Sequence, residues 1–97
     1  MVVLPEAVTL REASDTLRLL TQACGRDDAK TLAVDATGLK RFDSSALAVL
    51  LACRRAAQAD GKGFELRGAP PPLLRLAALY GVADLFKFAP PQAAAHL

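Results

Sequence analysis

The sequence predicts an α/β domain, a parallel or mixed β-sheet of about three to four strands flanked by α-helices. Three observations carry that reading. Short apolar runs and helical patterns alternate as strand, helix, strand, helix, strand, helix, the order that builds a parallel or mixed sheet with helices packed on it. Thr31-Leu32-Ala33-Val34 is short, apolar and bounded by polar residues, as a strand buried within a parallel sheet is. Each helical pattern starts at a residue suited to a helix beginning and stops at a glycine, Gly25, Gly61 or Gly81.

Ninety-seven residues make one domain with one modest core. Hydrophobic residues are 53% and charged residues 23%, a globular and not a disordered balance. The net charge of +2 is spread along the chain, and five aromatic rings (four Phe, one Tyr) accompany it, so no basic-aromatic surface points to nucleic acid. No run approaches the roughly 18 apolar residues of a membrane span. The start, Met-Val-Val-Leu-Pro, lacks the basic flank and apolar stretch of a signal peptide, so a cytoplasmic location is expected. Cys24 and Cys53 each sit in an apolar helical pattern and are expected as buried reduced thiols, not as a disulfide or metal pair.

Val2-Val3-Leu4 reads as a brief strand stopped by Pro5, with Ala7-Val8 as an extension after a kink. Thr9-Leu10-Arg11-Glu12 fits a capping box. The helix after it carries an apolar stripe of Leu10, Ala13, Leu17, Leu20 and Cys24, and a solvated face of Arg11, Asp15, Arg18 and Gln22. Arg26-Asp27-Asp28 is a loop. After the strand at 31–34, Asp35 ends the element, Thr37-Gly38 turns the chain, and Leu39 and Phe42 tuck beneath the loop.

The central helix runs from Asp43 or Ser44 to about Asp60. Ala46, Val49, Leu50, Cys53, Ala56 and Ala57 share one side; Ser44, Leu47, Leu51, Arg54, Arg55 and Gln58 share the other. Leu47 and Leu51 stand among polar residues. Either the C-terminal segment with Phe86 or Phe88 covers them, or they form, with Arg54 and Arg55, an apolar-centred partner patch with a charged rim. Phe64-Glu65-Leu66 is a short alternating strand, and Gly68 to Pro72 is a stiff connector. Leu73 to Leu79 forms the last helix, with Tyr80 expected as a partly buried ring. The domain is expected over 1–88 and a flexible tail over 89–97.

No catalytic apparatus is supported. The single histidine, His96, lies in the tail, and Asp27-Asp28 is the one paired-carboxylate stretch. Cys/His spacing for zinc and phosphate-cradling glycine loops do not occur, so no cofactor or metal is implied. The remaining constellation is Asp43-Ser44-Ser45. One of the three caps the helix. A hydroxyl there is also a favourable place for a phosphate, because backbone amides and the helix dipole stabilise its charge.

Val34-Asp35-Ala36-Thr37-Gly38-Leu39 followed by Phe42-Asp43-Ser44-Ser45-Ala46-Leu47-Ala48-Val49-Leu50-Leu51 resembles the signature of the STAS domain family. In that family a strand ends in Asp and an Asp-Ser/Thr-Ser/Ala-Gly element opens the next helix. Two departures are Ala46, where Gly is usual, and an N-terminus shorter than in members with two full N-terminal strands. In the family's anti-sigma factor antagonists, the hydroxyl matching Ser45 is phosphorylated by a partner serine kinase that binds the unmodified protein. In its MlaB type, the small cytoplasmic subunit of the phospholipid ABC transporter that maintains outer-membrane lipid asymmetry, the domain binds the ATPase subunit. There the hydroxyl matching Ser44 lies at the contact. The segment from Leu76 to Phe86 is similar to the Leu-Tyr-Gly-Val stretch of the MlaB type.

The resemblance therefore implies a non-enzymatic subunit that binds an ABC transporter ATPase, cytoplasmic and peripheral to the inner membrane through that partner; together with the outer face of the central helix, it makes Asp43, Ser44, Ser45, Leu47, Leu51, Arg54 and Arg55 the expected partner-binding residues. The alternative is an anti-sigma factor antagonist switched by phosphorylation of Ser45, with Ser44 the second candidate. A homodimer through the exposed leucines stays open. A small hydrolase using Ser44 or Ser45 lacks a nearby base.

Overall fold

The computed structural model describes residues 2–26, 30–86 and 88–89. The elements are β1 (Val2–Val3), β2 (Ala7–Val8), α1 (Ala13–Arg26), β3 (Thr31–Asp35), β4 (Arg41–Phe42), α2 (Ser44–Ala59), β5 (Gly63–Arg67), α3 (Pro71–Leu79), a 3-10 turn (Ala83–Leu85) and β6 (Phe88–Ala89). The expected α/β architecture is present, with every strand pairing parallel. The main sheet has the order β1-β3-β5-β6, and β2 and β4 form a separate two-stranded ladder. Of the tail expected over 89–97, only Ala89 is described, as part of β6 paired with Arg67; His96, Asp27, Asp28 and the side chain of Cys24 lie outside the described residues.

Each step from β1 to β3 to β5 to β6 moves the same way across the sheet. Right-handed crossovers then place the three helices on one face. Burial agrees. Leu32, Val34, Phe64 and Leu66 are buried, while Ala33, Asp35, Glu65 and Arg67, which alternate with them, are half-buried. This corrects the reading of residues 31–34 as a strand covered on both faces. The second face carries a Glu65–Arg67 ion pair at 2.9 Å, each side chain about a quarter exposed at 25%.

One core holds the molecule together. Leu20 of α1, Val49, Leu50 and Cys53 of α2, and Leu73 and Ala77 of α3 share it with the inner sheet residues. The Phe64 and Phe86 rings meet at 6.1 Å and 49°, a tilted contact that joins β5 to the segment after the 3-10 turn.

Four local expectations change. Thr9 and Glu12 do bond, with the Glu12 carboxylate accepting from the Thr9 N–H at 3.0 Å and from its hydroxyl at 2.7 Å. That pair closes a turn, and α1 begins one turn later, at Ala13. Leu10 consequently leaves the helical stripe and is 78% exposed. Gly25 does not stop α1, which continues to Arg26. Ala7-Val8 is a strand of its own, paired with Arg41 and Phe42, because Glu6 O receives the N–H groups of both Lys40 and Arg41. At the other end, Tyr80 is mostly exposed at 57% and not a core ring.

Candidate functional site

Helix α2 starts where the chain returns from β4. Asp43 stands in extended conformation (φ −134°, ψ −165°), and its carbonyl accepts the first helical hydrogen bond, from Ala46 N–H at 3.0 Å. Its Oδ1 accepts from the Ser45 N–H at 2.8 Å. The capping role expected for the triplet therefore belongs to Asp43. Its Oδ2 accepts from the Leu10 N–H at 3.2 Å. The Ser45 N–H bond is the main cause that holds the Asp43 carboxyl below its ordinary range, against the opposing effect of desolvation, and the Leu10 N–H adds to it. Asp35 is held low in the same direction by the Thr37 hydroxyl and then the Thr37 N–H, the latter at 2.9 Å. These bonds make the loop from β3 to α2 a stiff mount for two serines.

Ser44 is exposed and Ser45 half-buried. Ser45, Ala48 and Val49 form one wall of an open groove of about 230 Å³ between α2 and α1. Leu10, Ala13 and Leu17 form the facing wall. The groove is largely apolar, with the two helix beginnings at its mouth.

The expected patch does not assemble as one surface. Leu47 is 4% exposed and belongs to the core, which corrects its assignment as a docking residue. Leu51 is half-buried and packs against the same core. The physical reason is that α2 has neighbours on both flanks. On one side lies α1, its most extensive helix partner. On the other, Arg54 and Gln58 share a second cleft of about 250 Å³ with Phe64, Asp84 and Leu85, so the flank carrying Leu47 and Leu51 faces the last turn of the chain. Arg54 is half-buried, its guanidinium 3.4 Å from the Gln58 side-chain oxygen, while Arg55 is exposed. The outward stripe of α2 is instead Ser44, Ala48, Ala52 and Arg55, of which Ala52 is half-buried.

Sequence reasoning missed Leu10 and Ala48. Alanine carries no signal for exposure, and Leu10 falls on an inward helical stripe that its turn conformation does not obey.

Among the described residues no group of three or more His, Cys, Asp or Glu is placed to hold a metal ion, and no helix is long and apolar enough to cross a membrane. A parallel sheet covered by helices on one face, with a capped and hydroxylated helix start, defines an α/β domain whose candidate contact surface lies at the start of α2. The chain belongs to the family described as Mlab, STAS domain, which matches residues 1–87. Comparison with curated proteins finds no match. Among solved structures, the fold is similar to a candidate anti-sigma factor antagonist from Thermotoga maritima, at TM-score 0.79 and 13% identity, covering 97% of this chain and 82% of that one. It is also similar to the anti-sigma factor antagonist SpoIIAA in its unphosphorylated form, at TM-score 0.73 and 16% identity, covering 95% of this chain and 80% of that one. At these identities the similarity concerns the fold.

Proposed function

We propose that this chain is a non-enzymatic subunit that docks on the cytoplasmic ATPase of a phospholipid ABC transporter maintaining outer-membrane lipid asymmetry. The observation that carries the proposal is the apolar groove between α1 and α2, walled by Ser45, Ala48 and Val49 and opening beside the exposed Ser44. An apolar centre beside Ser44 and the ionised Asp43, with the exposed Arg55 further along the same outward stripe of α2, is the composition of a protein contact. The Mlab family description over residues 1–87 favours the ATPase as the partner. Ser44 and Ser45 contribute hydroxyls at the mouth, Arg55 a charged rim, and Arg54 a half-buried guanidinium on the neighbouring flank. Leu47 and Leu51 pack in and against the core on the other flank of α2 and take no part in the groove.

A second reading, an anti-sigma factor antagonist switched at Ser45, is favoured by one observation. The Ser45 side chain lines the groove itself, so a phosphate there brings a charge of about −2 into an apolar contact.

The deciding experiment is recovery of partners from native lysate with wild type and with Ala48→Glu, identified by mass. Recovery of an ABC ATPase with its membrane subunits by wild type only supports the transporter reading. Recovery of a serine kinase, with a mass shift lost in Ser45→Ala, replaces it with the second reading. Equal recovery by Ala48→Glu removes the groove from either.

A further inference from the structure

Asp43 accepts from two backbone N–H groups, that of Ser45 beside it and that of Leu10, 33 residues earlier in the chain. The bond to Ser45 N–H is the helix cap. The bond to Leu10 N–H serves no capping purpose, since Leu10 precedes a different helix. Leu10 belongs to the Thr9–Glu12 turn, which the Glu12 carboxylate closes on Thr9. That turn supplies Leu10 to the far wall of the groove, although the Leu10 side chain is 78% exposed and gains little from burial. A side chain so placed is not fixed by packing. Its position follows from its backbone, and the backbone is tied to Asp43.

We propose that Asp43 is a positioning residue that couples the start of α2 to the Leu10 turn, so that one carboxylate both caps the helix and sets the width of the groove. A group that draws the carboxylate away from Leu10 frees that wall. Its consequence for partner binding rests on the groove reading above; the coupling itself does not.

The test is backbone-amide NMR on the full chain, comparing wild type, Asp43→Asn and Asp43→Ser. Asn keeps one acceptor oxygen for the cap and turns an NH2 toward the Leu10 N–H. Ser also caps but has a single oxygen that cannot serve both sites. The expected result in both variants is a Ser45 amide that keeps its shift and exchange rate, a Leu10 amide that moves upfield and exchanges roughly tenfold faster, and weaker contacts between the Leu10 methyls and Val49. An unchanged Leu10 amide in both variants overturns the coupling. Loss of the Ser45 amide beside an unchanged Leu10 amide would make Asp43 a cap alone. Titration with the ATPase separates the two readings. Wild type that fails to bind removes the docking reading and leaves the amides to decide the coupling. Wild type and Asp43→Asn binding equally, with Leu10 released, overturns any role of the coupling in docking.

Discussion

The hydroxyl of Thr37 occupies the place where a β-carbon on Gly68 would stand, and Gly68 itself has φ +64°. Thr37 follows β3 and Gly68 follows β5, so this approach closes the carboxyl edge of the sheet just before the chain turns toward α2. Ala36 N–H reinforces it by donating to Arg67 O at 2.8 Å. Only a residue without a side chain fits both the conformation and the space.

Gly68→Ala is therefore expected to lower stability by about 1–3 kcal/mol, measured by urea unfolding. In Thr37→Ala/Gly68→Ala the steric part disappears while the backbone part remains. The double variant should lose less than the sum of the singles. Additive losses would mean that the two residues do not compete for space.

Leu47 and Ala48 are neighbours with opposite roles. Leu47→Ala should cost about 2–5 kcal/mol, because it empties core volume that the surroundings only partly refill. Ala48→Glu should change stability by no more than about 0.5 kcal/mol, since the site is exposed on a helix. Thermal and urea unfolding of the two variants check this directly, and reversed magnitudes would place the docking face back on Leu47.

Among the described residues, three carboxylates are held below their ordinary range by hydrogen bonds. They are Glu12 by the Thr9 N–H and then its hydroxyl, Asp35 by the Thr37 hydroxyl and then N–H, and Asp43 by the Ser45 N–H. The unfolded chain binds these protons more tightly, so stability rises with pH through the window and is complete above the unfolded values near about 4. The thermal midpoint should stay level from neutral pH to about 5 and fall as the pH drops through the lower folded-state values. Asp35→Asn should shrink that acid loss. A profile identical to wild type would remove Asp35 from the account.

The Glu65–Arg67 pair lies on the sheet face without helices, at 2.9 Å. Partial exposure and screening keep such pairs weak. Glu65→Gln should cost less than about 1 kcal/mol, and the loss should shrink at high ionic strength. A larger, salt-insensitive loss would show that this face is drier than its exposure indicates.

Much of the fold was legible from local chemistry. The start of α2 at Asp43 followed from a residue whose side chain satisfies orphan amides. Its end at Asp60 followed from Gly61, which has φ +74°. The strand core at 64–66 followed from alternation of Phe64, Glu65 and Leu66. The short strands β2 and β4 were not legible, because a two-residue strand exists only through its partner.

The sequence by itself determined the α/β class, the three helices and the position of Asp43-Ser44-Ser45 at a helix start. Propensity, capping and periodicity act within a few residues of each position. Which side of α2 meets water was decided only by tertiary structure. An isolated helical wheel gives two faces, but α2 lies between α1 and the last turn and so buries two flanks. Leu47 goes inside, Ala48 outside, and Leu10 reaches the groove through a hydrogen bond to a carboxylate 33 residues away.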